Sequence, residues 1–262
     1  EKFIEDLIDT DFSAISSFID AEYEVYQRDG VVTYVVAGSL AISVLTDTTE
    51  RSPTFNLKPF ETIGDKELSL SHLSIDSIGC NSLCWEKLLG RKPRDLNWKE
   101  LNNLVSLNEI MKFNLSRENL DYRKQVNSKM EKIFIQEKGD TLEFRINDNL
   151  STIKLKQNNP LFKHLVLKLA LNIHSTVLMG KMKRYEGNMM TYVRPSNMKL
   201  IDRCIRYIVE LLRRGGASVH EEEVIDFLFE DLEQGVGKDT SIDFNRGIVL
   251  RVRDKILENK KS

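Results

Sequence analysis

The heptapeptide "VVTYVVA", Val31 to Ala37, narrows most sharply what this chain can fold into. Its residues are β-branched, aromatic or small, and no polar residue alternates with them to face water. A strand of that texture is buried on both faces, the situation of a parallel sheet covered by helices on each side. It predicts an α/β fold. The flanking segments agree. In "DFSAISSFIDAEYEVYQ", Asp11 to Gln27, the residues Phe12, Ile15, Phe18, Ile19, Ala21, Val25 and Tyr26 recur near a helical period, and "RDG" closes the helix with Gly30 at the stop position. After the strand come Gly38 and Ser39, then a helix from Leu40 to Thr49 that "ERSP" should end, because Pro53 disfavours helical geometry in the residue before it. The Gly38-Ser39 turn is therefore expected at the carboxyl edge of the strand, where ligands bind in open α/β sheets.

Farther along, "LNWKELNNLVSLNEIMKF" is helical by period, with Leu101, Leu104, Val105, Leu107, Ile110 and Met111 on one face. From Lys132 to Lys156 three short alternating segments separated by "KGD" and "NDN" predict antiparallel strands. Beyond "NNP" the chain reads as helical, broken at "RPSN" and "RRGGAS", with Ser218 placed to cap a helix whose first turn is acidic. A main domain over residues 1–210 and a carboxy-terminal helical cap over 211–262 follow from this pattern.

Charge excludes some partners. The 38 basic and 40 acidic side chains are interspersed, which gives no field to attract nucleic acid or an anionic membrane. The longest apolar run, Tyr34 to Leu45, is short of the ~20 residues a membrane-spanning helix requires. Cys80, Cys84 and Cys204 lack metal-ligand spacing and the four histidines are scattered, so reduced thiols in a cytoplasmic protein are expected, with no metal and no cofactor. The chain begins at Glu1 rather than at methionine, as a fragment of a longer protein would.

Two stretches hold residues suited to chemistry. Gly38 allows close approach of backbone to a ligand, and the Ser39 hydroxyl with the free amides of a helix start can hold a phosphate. An ordinary strand-to-helix turn has the same minimum. In "KLALNIHSTVLMGKMKRYEGNMMTYVRPSNMKL", Lys168 to Leu200, a buried helix face of Leu169, Ile173, Thr176, Leu178 and Met179 is expected. The polar residues Asn172, Ser175, Thr176, Asn188 and Asn197 sit among them, and Lys168 is the cation whose apolar neighbours suggest a directed contact.

Together the two stretches resemble the family of N-acetylmuramic acid 6-phosphate etherases and their relatives the glucokinase regulatory proteins, built on the SIS sugar-phosphate-binding fold. The first is similar to the family's segment from tyrosine through Ala-Gly-Thr-Ser-Gly-Arg to Asp-x-x-Glu and Pro-Thr-Phe, matched without a gap by Tyr34, Ala37, Gly38, Asp47, Glu50, Pro53, Thr54 and Phe55. The second resembles the series K-L-x-L-N-x-x-S-T, G-N-x-M and N-x-K-L through Lys168, Leu169, Leu171, Asn172, Ser175, Thr176, Gly187, Asn188, Met190, Asn197, Lys199 and Leu200. The likeness covers about half the chain and fades between Gly64 and Pro160. It implies an α/β three-layer SIS sandwich with a mixed sheet, added antiparallel strands and a helical carboxy-terminal region. The implied ligand-contacting set is Gly38, Ser39, Ser43, Lys168, Asn172 and Ser175.

The departures matter as much. Etherases break the lactyl ether with two glutamates that share the proton transfers. Glu50 stands at the first position as a vestige, and the acidic Glu-Gly-Ala-Glu-Asp segment of the second has no counterpart. Ser39, Leu40, Ala41 and Ile42 replace the Thr-Ser-Gly-Arg of the phosphate turn. Three readings stand open: a non-catalytic sugar-phosphate-binding or regulatory module, an etherase-like carbon–oxygen lyase with a divergent site, and a ligand-free dimerisation domain. In the first, which the departures favour, Lys168 is lent to a hexose or amino-sugar 6-phosphate at an interface with a second SIS unit, in tandem or in a homodimer.

Overall fold

A computed structural model describes residues 1–36, 38–55, 61, 63–64, 66, 68–94, 106–235 and 247–260. The chain divides into two compact units, Glu1–Leu178 and Met179–Ser262, a division earlier than the boundary at residue 210 that the sequence pattern suggests.

The first unit is α/β. Strand β1, Val32–Val36, lies parallel to β2, Ser71–Ser74, on one side and parallel to β3, Glu131–Lys138, on the other. Antiparallel β4, Thr141–Ile146, and β5, Asn149–Lys154, complete a mixed five-stranded sheet in the order β2-β1-β3-β4-β5. The expected antiparallel segments are thus present, and the first of them also carries a parallel neighbour. Every residue of β1 is buried because helices cover both faces. Successive side chains of a strand point to opposite sides. Tyr34 hydrogen-bonds Glu22 of α2 (Ile15–Gln27) and Arg51 of α3 (Leu40–Phe55), while Thr33, facing the other way, accepts a hydrogen bond from Arg123 of α6 (Arg117–Val126).

Local chemistry moves several expected boundaries. Helix α2 begins at Ile15 rather than Asp11, whose carboxylate instead accepts from the Ser13 amide in a turn. At its other end Asp29 takes the left-handed conformation (φ 58°), and Gly30 donates its amide back to the Val25 carbonyl at 2.9 Å. Gly30 is needed for space: a Cβ there would lie 2.5 Å from Val25 Cγ1 and 2.7 Å from the Lys129 carbonyl. Helix α3 does not stop before Pro53 but runs to Phe55. Burial of Arg51 against Asp47 and Tyr34 anchors the turn ahead of the proline and overrides its local preference. In the predicted helix "LNWKELNNLVSLNEIMKF", residues 96–105 lie outside the described residues; the remainder forms a separate short helix, α5, Leu107–Met111, begun by Ser106, whose hydroxyl accepts from the Glu109 amide. Helices α1 (Lys2–Ile8) and α4 (Asn81–Leu89) complete the elements before α7, Pro160–Lys181.

The second unit holds a hairpin, β6 (Tyr185–Glu186) with β7 (Met189–Met190), and three helices, α8 (Met198–Arg214), α9 (Glu221–Gly235) and α10 (Ile248–Asn259). Leu200, Cys204, Ile208 and Leu211 of α8 bury one helical stripe against Val224 and Leu228 of α9 and Val249, Val252 and Ile256 of α10. Asn197 caps α8, its side chain accepting from the Leu200 amide at 3.1 Å. Asn197→Ala should therefore lower stability by about 1 kcal/mol, measurable as a shift in the denaturant midpoint. Ser218 does not cap α9, which starts at Glu221; its carbonyl instead accepts a hydrogen bond from Lys260.

Candidate functional site

The turn after β1 passes through a left-handed glycine. Gly38 has φ 66° with no atom within 4 Å of where a Cβ would stand, so backbone conformation rather than crowding requires glycine. Gly38 and Ser39 are exposed, and α3 starts one residue later. Of the three apolar residues that follow Ser39, Leu40 and Ala41 turn into the core and Ile42 is exposed. The exposed turn is followed closely by one exposed aliphatic side chain, Ile42.

Residues four apart fall into four rows along helix α7, and their roles differ from the expected buried face. Phe162, Val166, Ala170, His174 and Leu178 form one buried row, and Leu167, Leu171 and Met179 are buried in the row that also holds Lys163 and Ser175. Leu161, Leu169, Ile173 and Val177 are 37–60% exposed, with half-buried Leu165 in the same row, and Thr176 is exposed. The expectation that Leu169, Ile173 and Thr176 are buried is corrected: small Ala170 and hydrogen-bonded His174 take the inward positions. The remaining row is polar, His164, Lys168, Asn172 and Thr176.

That polar row meets α3 at two places. His164 Nδ1 and Ser43 Oγ are 2.9 Å apart, and Lys168 Nζ donates to Glu50 Oε2 at 2.9 Å. The structure thus joins Lys168 and Glu50, which lie in different stretches of sequence. Lys168 is 31% and Glu50 61% exposed by side chain, so the ion pair borders solvent. Ser43 is half-buried at the His164 contact. Asn172 is exposed one turn beyond Lys168, whereas Ser175 donates back to the Leu171 carbonyl at 2.8 Å, a helix-internal role. His164 went unmarked in the sequence; its four-residue offset from Lys168 is the signal that identifies it.

A buried polar cluster fixes the two helices beneath the ion pair. Glu22 of α2 is fully buried and accepts from Tyr26 at 2.7 Å and from Tyr34 at 2.9 Å, and its other oxygen is 2.7 Å from His174 Nε2 on α7. Arg51 of α3 donates to the Tyr34 hydroxyl at 3.0 Å and pairs with Asp47 at 2.7 Å. Burial pushes the Glu22 carboxyl up, but the facing His174 and Arg51 charges and the hydrogen bonds from His174 and Tyr26 bring it below its ordinary value. Asp47 is shifted the other way, burial raising it more than Arg51 lowers it. Burial also raises both tyrosines, keeping them as hydrogen-bond donors. The cluster ties α2, β1, α3 and α7 at one point, immediately beside Glu50.

Among the described residues no group of histidine, cysteine or acidic side chains is arranged to hold a metal, and no helix is long and apolar enough to cross a membrane. No family model and no curated protein sequence matches the chain.

Proposed function

We propose that the chain is a non-catalytic SIS-type module that binds a sugar phosphate or regulates through it, with Lys168 supplying the cation for a hexose or amino-sugar 6-phosphate. The observation that carries this reading is the contact of Lys168 with Glu50, since two residues that the resemblance singles out in separate stretches meet within hydrogen-bonding distance. The open glycine turn at the end of β1 supports it, as does the position of a parallel strand buried on both faces. An ammonium at that place favours a dianionic phosphate through charge-assisted hydrogen bonds.

Pairing with a second SIS unit, in tandem or as a homodimer, is part of the proposal. Its support is the exposed aliphatic row Leu161, Leu169, Ile173 and Val177, continuous along α7 beside the polar row. Contiguous exposed apolar surface of this kind marks interaction sites. The etherase-like lyase is disfavoured: Asp47, the carboxyl nearest Glu50 in sequence on α3, is 1% exposed and held by Arg51, which leaves it unable to protonate a leaving group in solvent. Free thiols at Cys80, Cys84 and Cys204 fit a cytoplasmic setting.

Calorimetry against a panel of hexose and amino-sugar 6-phosphates tests the reading. Wild type should bind at least one compound, and Lys168→Gln should weaken that binding about tenfold or more, the loss of a charge-assisted contact worth ~1.5–3 kcal/mol. Silence across the panel in a dimeric preparation would instead favour a ligand-free dimerisation domain. Sustained lactate release from N-acetylmuramic acid 6-phosphate, lost in Glu50→Gln, would establish the lyase.

A further inference from the structure

We infer that Glu50 is a built-in competitor for the phosphate, holding Lys168 in the ligand-free state, so that ligand entry is an exchange of one anion for another. The inference rests on the sugar-phosphate reading above and adds to it a restraint internal to the chain. Lys168 Nζ donates to Glu50 Oε2 at 2.9 Å, and the ammonium is partly shielded while the carboxylate is mostly in solvent. The cation is therefore placed by the helix, and its partner has room to swing away.

The contact is fixed by the fold on both sides. Glu50 is followed directly by Arg51, which is pinned to Tyr34 and Asp47, and α7 is held at His174 by Glu22. The two helices cannot slide to separate the pair without breaking buried hydrogen bonds. Ser43 and His164 hold the same helices together a turn or more before the pair. An incoming phosphate must either displace the carboxylate or share the ammonium with it at close range, and like charges at that separation repel. Removing the negative charge should therefore strengthen phosphate binding. Exposed ion pairs are weak, which sets the scale of the gain at about two- to fivefold.

The experiment compares wild type, Glu50→Gln, Lys168→Gln and the double variant, with glucose 6-phosphate and inorganic phosphate as probes in calorimetry, and with acetic anhydride labelling of lysines read by mass spectrometry without ligand. Glu50→Gln should bind the phosphates about two- to fivefold tighter, with the gain absent when Lys168 is also replaced. Lys168 should label faster in Glu50→Gln than in wild type, with other lysines unchanged. Equal or weaker phosphate binding by Glu50→Gln, while Lys168→Gln still loses affinity, overturns the restraint and leaves the sugar-phosphate reading standing. Unchanged Lys168 labelling also overturns it, because the pair then does not hold in solution. Absence of phosphate binding in both wild type and Glu50→Gln overturns the function and the restraint together.

Discussion

Arg123→Met should destabilise the protein by about 3–5 kcal/mol, the cost of leaving one partner of a buried ion pair without the other. Arg123 and Glu61 are 0% and 1% exposed by side chain and 2.5 Å apart. The guanidinium also donates to the Thr33 hydroxyl at 2.9 Å, the Val32 carbonyl at 3.1 Å and the Ser69 carbonyl at 3.0 Å, so five donors are spent on four residues that surround the start of β1. Glu61→Gln should fall in the same range. Replacing both with methionine should recover only part of the loss, because the Val32 and Ser69 carbonyls would still lack their donor. Urea denaturation at neutral pH measures these differences, and a loss under about 1 kcal/mol for Arg123→Met would show that the pair contributes little.

The same site predicts an acid transition. Burial raises the Glu61 carboxyl, but facing His72 and Arg123, with hydrogen bonds from Arg123 and Ser69, brings it down to about 2 from an ordinary 4.5. A carboxyl depressed in the folded state contributes fully above 4.5 and loses that contribution as pH falls toward 2. The stability at stake is on the order of 3 kcal/mol. His72, pushed down from 6.5 mainly by burial, acts in the same direction, since charging it at low pH also favours the unfolded chain. Stability measured from pH 7 to pH 3 should therefore decline, and Glu61→Gln should flatten the lower part of that decline.

Glu22→Ala is the second large effect, again about 3–5 kcal/mol, because it removes the acceptor shared by Tyr26, Tyr34 and His174 in a dry interior. Arg51 would keep Asp47 but lose the negative charge behind Tyr34. Tyr34→Phe, which deletes one hydroxyl and leaves the ring in place, should cost about 1–2 kcal/mol and calibrates the larger change. Circular dichroism melts of the two variants separate a network effect from simple loss of packing: if Glu22→Ala costs no more than Tyr34→Phe, the carboxylate is not the hub of the cluster.

Strand β1 was legible because cover on both faces leaves a continuous apolar run, and the β3 to β5 meander because its turns hold Gly139 and Asn147 at positive φ, where those residue types are favoured. Strand β2 was not. Its residues are Ser71, His72, Leu73 and Ser74, all buried, and its polar side chains find acceptors across the fold: His72 Nε2 lies 2.8 Å from the Asn114 carbonyl, and Ser74 reaches the Leu115 carbonyl. Burial of hydrogen-bonded polar groups leaves no hydrophobic signature. The buried face of α7 departs from its apolar periodicity for a related reason, since His174 occupies a core position where Glu22, 152 residues away in sequence, meets it. The candidate site was legible as two separate stretches. Their meeting through Glu50 and Lys168, and the part of His164, depend on how α3 lies along α7, which periodicity does not encode.

The change of direction at β3 has a kinetic meaning. On one side β3 joins β4 and β5 through two-residue turns, as the pairing of Lys138 with Thr141 and of Ile146 with Asn149 requires. Such ribbons close within microseconds. On the other side β3 must find β1, whose last residue, Val36, pairs with Ile135 across nearly a hundred intervening positions. Closing so long a span is entropically slow. The meander is thus a platform that stands early, and the segment bearing Gly38 reaches its final place only when β1 docks against it.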